Sequence, residues 1–106
     1  MEITKELLIH WWHYYGKLIY TLEELNNFIA IIDEKGANKV FDVATASYLC
    51  GDGSPTVLLL SIREDKVDEL FGTLEGCTGE NAPENECAIF QKAREELFTI
   101  VSSSFK

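Results

Sequence analysis

His10 and His13 stand three residues apart, a spacing at which two imidazoles on one helical face can share a metal ion. Zinc would also need Cys or carboxylate partners that close a tetrahedron. Cys50, Cys77 and Cys87 include no C-x-x-C pair and match no standard site. A thiol nucleophile built from Cys50 or Cys77 and one of the histidines needs a proximity that spacing does not supply. The pattern therefore implies no metal, no cofactor and no enzyme. Gly51-Asp52-Gly53-Ser54-Pro55 lacks the Gly-Lys-Ser/Thr ending of a phosphate loop and the alternating acids of a calcium loop, so it reads as a turn.

Trp11-Trp12-His13-Tyr14-Tyr15 sets five ring-bearing side chains in succession. Consecutive helical residues point about 100° apart, so the five cannot all face one core. Trp11, Tyr14 and Tyr15 fit a core face. Alternatively, Trp11 and Trp12 form a contact with a partner or a second copy, since Trp and Tyr dominate interface hot spots. A nucleic-acid stacking platform would need a basic groove around it, and none is present.

The carboxylates give the strongest lead. The chain has 106 residues, with 18 Asp+Glu against 9 Lys+Arg and a net charge of −9. Residues 64–86 carry eight of those acids (Glu64, Asp65, Asp68, Glu69, Glu75, Glu80, Glu84 and Glu86) against one base, Lys66. Such a charge excludes direct binding of a phosphate backbone by a broad basic surface. Crowded like charges repel and folding does not require them. They serve either solubility or electrostatic complementarity with a basic partner.

The elements that must position these residues follow from periodicity. Thr4 is an N-cap, with Ile3, Leu7, Trp11, Tyr14 or Tyr15, and Leu18 on one helical face. Thr21 and Glu24 form a capping box, Leu22, Leu25, Phe28, Ile29 and Ile32 share a face, and Gly36 closes a helix over 22–35. Residues 39–50 are rich in β-formers, and 56–62 read as a buried-strand run. With the glycine-rich turn between them they predict a β-hairpin, although Ala44 and Ala46 leave a helix open for part of the first segment. A short helix follows from Arg63 to Leu74, then a polar loop over 75–86, then a helix over about 84–103. The expected fold is a single α+β domain over residues 1–106, ordered α-α-β-β-α-α, with the hairpin packed against helices and an acidic helix and loop at 64–86.

Hydrophobic residues at 46% and aromatics at 11% exclude a disordered chain. No run approaches a membrane span, and the acid-flanked N-terminus lacks a signal-peptide pattern. Three cysteines, an odd number, suit free thiols in a reducing cytoplasm better than one Cys77–Cys87 bridge.

In size, acidity and absence of catalytic motifs, with the acids from Glu64 to Glu86 carrying the likeness, the chain resembles by type the small anti-CRISPR inhibitors and other nucleic-acid mimics of phages and mobile elements. The resemblance implies binding rather than catalysis. The partner would be a basic nucleic-acid-binding protein, for example a Cas9-type effector whose guide-RNA or target-DNA channel the acids would occupy. Toxin-immunity proteins share these features. A structural or oligomeric interaction module, a homodimer through the aromatic N-terminal helix, is the alternative from a different class.

Overall fold

The computed structural model describes residues 2–14, 19–51, 53–78 and 84–103, with the side chains of 74–78 and 84–87 outside the description. Six helices follow one another: α1 (Lys5–Tyr14), α2 (Leu22–Lys35), α3 (Ala37–Leu49), α4 (Thr56–Arg63), α5 (Val67–Thr78) and α6 (Glu84–Ser103). Among the described residues there is no strand, so the expected α+β fold and its β-hairpin are corrected to an all-helical fold.

The first two helices begin at capping residues. Thr4 Oγ1 accepts the Leu7 amide at 3.1 Å. Thr21 and Glu24 form the reciprocal capping box of α2, at 3.1 and 2.8 Å. Gly36 ends α2 and starts α3 with φ 96° and ψ 143°, a conformation that L side chains rarely adopt.

The two segments expected as strands are α3 and α4. Val40, Phe41, Val43, Ala44 and Ser47 are buried on α3, a three-four spacing that gives one helical face. β-branched residues at these positions lower helix propensity only slightly, and burial outweighs that. In α4, Leu58, Leu59 and Ser61 are buried while Val57 and Leu60 are exposed. An apolar run of this length fits a buried strand or a short helix equally well. The glycine-rich turn therefore joins two helices, with Gly51 at φ 96° and Gly53 at φ 72°.

α3 is the central element and packs on α1, α2, α5 and α6. One apolar cluster joins Leu8, Trp11 and Trp12 to Phe28, Phe41, Leu58, Phe71 and Leu97. Arg94 of α6 reaches Asp42 at 3.2 Å and Asn38 at 2.8 Å, and lies 5.4 Å over the Phe41 ring. Tyr48 donates to Glu96 at 3.1 Å, a second tie between α3 and α6. Burial raises the Asp42 carboxyl above its ordinary range, against the lowering pull of Arg94.

Candidate functional site

The candidate site is the corner between α4 and α5, where four of the predicted acids stand. Glu64, Asp65, Asp68 and Glu69 are all exposed. The local sequence makes this corner. Glu64 amide donates to Leu60, Asp65 amide to Ile62, and Lys66 amide to Ser61 at 2.8 Å. The last two bonds are those of a Schellman motif, with Asp65 at the left-handed C′ position (φ 57°) where glycine is usual. Asp is among the few non-glycine residues that enter this region readily. Asp68 and Glu69 lie in the first turn of α5, where a negative charge complements the helix dipole.

Partnering divides the four. Asp68 accepts from Lys35 Nζ at 2.8 Å and so ties α5 to the end of α2. Among the described residues no ion pair engages Glu64, Asp65 or Glu69. Glu64 and Glu69 border an open depression of about 380 Å³, together with Ser61, Lys66, Leu70 and Thr73. The neighbouring cation Arg63 is engaged elsewhere: its guanidinium makes two bonds to Glu24, at 2.5 and 3.2 Å, and one to the Ile19 carbonyl at 2.5 Å. That contact and the Thr21 cap hold the Glu24 carboxyl down at about 2, against an ordinary 4.5.

The remaining predicted acids fall outside this geometry. Glu75 is on α5, and Glu84 and Glu86 are on α6, with side chains outside the description, while Glu80 lies outside the described residues altogether. The expected loop over 75–86 is shorter, because α5 runs to Thr78 and α6 starts at Glu84.

Trp11 and Trp12, the candidate contact residues, are 1% and 0% exposed. Trp11 donates its indole N–H to the Gly53 carbonyl at 2.9 Å, pinning the α3–α4 turn to α1. Trp12 stacks on Phe28 with centroids 4.4 Å apart and meets Tyr20 edge-on at 5.3 Å. Both rings therefore serve the core. Tyr14 is exposed, and Tyr15 lies outside the described residues.

His13 Nδ1 lies 2.5 Å from the Tyr20 hydroxyl, while His10 packs on the Tyr14 ring at 6.1 Å. Among the described residues no three His, Cys, Asp or Glu side chains gather as a metal site. Cys50 is a free, exposed thiol. No helix among the described residues is long and apolar enough to cross a membrane.

No family model, no curated protein and no solved structure matches this chain.

Proposed function

We propose that this chain is a small non-catalytic inhibitor that binds the basic nucleic-acid-binding surface of a target protein, with a Cas9-type effector as one example. The observation that carries this is the group of exposed carboxylates Glu64, Asp65 and Glu69 at the α4–α5 corner, which no ion pair engages among the described residues. Exposed carboxylates at this corner can meet Arg and Lys where phosphates otherwise sit, because Arg donates to both in similar bidentate geometry. The surrounding charge adds long-range steering, since a net −9 attracts a basic cleft before contact. Two of the nearby cations do not compete for these acids, because Lys35 is held by Asp68 and Arg63 by Glu24. An odd number of cysteines, with Cys50 a free thiol, agrees with action in a reducing cytoplasm.

The test is binding of the full chain to a panel of purified basic nucleic-acid-binding proteins, each with and without its RNA or DNA. A true complex competes with the nucleic acid and weakens between low salt and about 0.5 M. Glu64→Lys with Glu69→Lys is the informative variant, because no ion pair among the described residues engages either side chain. Asp68→Lys would also break the bond to Lys35. The double variant is expected to lose binding and keep its helical circular dichroism. Undiminished binding by the folded double variant rejects the proposal.

A further inference from the structure

The exposed face of α4 joins apolar side chains to the acids of the α4–α5 corner. Val57 is 40% exposed and Leu60 48%. Three residues apart, they stand side by side on a helix, and Glu64, four further on, continues the same line. Leu58 and Leu59 are buried on the other side, and α2 and α5 pack against α4. At the C-terminal end of α4, Arg63 holds the carbonyl of Ile19, itself 85% exposed.

A half-exposed leucine alone needs no explanation. Here the apolar pair ends in carboxylates that no ion pair engages among the described residues, and that charge selects the occupant. A second copy would bring the same acids face to face, in a chain of net charge −9. Nucleic acid and anionic lipid are repelled for the same reason. The complementary surface is apolar with Lys or Arg beside it.

We propose that the exposed face of α4 docks an amphipathic basic helix of the partner protein. Val57 and Leu60 contact its apolar side chains, and Glu64, Asp65 and Glu69 receive the Lys or Arg at one end. This rests on the binding function proposed above and adds that the contact is a helix face with an apolar centre, not charge alone.

The probe is a synthetic amphipathic helix with leucines at i, i+3 and i+7 and Lys and Arg clustered at one end. A permuted peptide of identical composition and charge is the control. Titration calorimetry with the full chain is expected to favour the amphipathic peptide. Val57→Ser with Leu60→Ser is expected to weaken binding about five- to thirty-fold, at low salt and at about 0.5 M alike. Glu64→Lys with Glu69→Lys is expected to weaken it mainly at low salt. Amide shifts of the wild-type chain, which do not depend on any variant folding, are expected to move at Val57, Leu60 and Glu64. Equal affinity for the permuted peptide, or shifts confined to other helices, overturns the docking face. Should the serine variant bind as wild type while the charge reversal abolishes binding, the acidic surface stands and the α4 face falls. Should neither variant change binding, both fall. A wild-type dimer that Leu60→Ser dissociates assigns the face to self-association and overturns the proposal.

Discussion

Trp11 and Trp12 are neighbours in sequence and equally buried, yet their indole N–H groups have different fates. Trp11 donates to the Gly53 carbonyl, whereas the buried Trp12 Nε1 has no hydrogen-bond partner among the described residues. A buried donor that has lost water and found no acceptor costs free energy, whereas a buried bond that is made contributes a modest net gain. Phenylalanine at either position removes nearly the same volume, so the cavity cost largely cancels between them. Trp12→Phe also removes an unpaired donor, and Trp11→Phe takes the donor away from Gly53. Denaturant unfolding is expected to find Trp12→Phe more stable than Trp11→Phe by about 1–3 kcal/mol. Equal losses would mean that the Gly53 bond contributes nothing beyond ring packing. Sequence alone showed that five adjacent rings could not share one face. It did not show which two would be buried, because that depends on where Phe28, Tyr20 and the α3–α4 turn come to lie.

Elements were legible where local chemistry decides them. The helix over 22–35 carries its cap, its acids and its terminal glycine within its own residues, and α2 has those bounds. α3 and α4 were not legible as helices, because Val40, Phe41 and Val43, like the run Val57–Ile62, fit a strand as well as a buried helix. The choice is made by packing on α1, α2, α5 and α6. The acidic corner was legible by composition. The Arg63–Glu24 clip was not, since 39 residues separate its partners. That clip joins the end of α4 to the start of α2, and its carboxyl sits near 2 against an ordinary 4.5. A depressed folded value stabilises above the unfolded one and is lost as pH falls through the folded one. Glu24→Gln is thus expected to melt below wild type at neutral pH, with the gap closing between about 4.5 and about 2. A gap that persists at the acid end would assign the deficit to the cap at Thr21. At the α4–α5 corner, Asp65→Gly and Asp65→Ala remove the same charge, so their difference reports the backbone. With φ at 57°, the glycine variant is expected to be more stable than the alanine one by about 1 kcal/mol in urea unfolding.

For the whole molecule, ion pairs and charge excess oppose each other as salt rises. Lys5–Asp33, Lys35–Asp68 and Arg63–Glu24 each involve at least one partner 40% exposed or more, and exposed pairs of that kind stabilise only weakly. Salt weakens those contacts, but it also screens the mutual repulsion of a chain with net charge −9. The repulsion is summed over many carboxylates, of which Glu64, Asp65 and Glu69 have no ion pair among the described residues, so screening it is the larger effect. The melting temperature is therefore expected to rise with sodium chloride up to about 0.5 M. The dipole effects of the pair oppose each other, Glu64 at the C-terminal end of α4 being unfavourable and Glu69 in the first turn of α5 favourable, so relief of repulsion decides. Glu64→Gln with Glu69→Gln is expected to raise it at low salt by a few degrees, the size of a stabilisation of about 0.5 kcal/mol, and to flatten the salt dependence. Carboxylates whose removal stabilises the fold are not there to hold it together, which leaves solubility or a basic partner to account for them. Solubility is served by charge anywhere on the surface, whereas a partner needs these positions. Moving the two acids to exposed sites on α6, at Gln91 and Thr99, keeps the net charge and separates the two explanations. Preserved solubility with lost binding to the basic partner is the expected result, and retained binding by the relocated charges would reduce the corner to a solubilising surface.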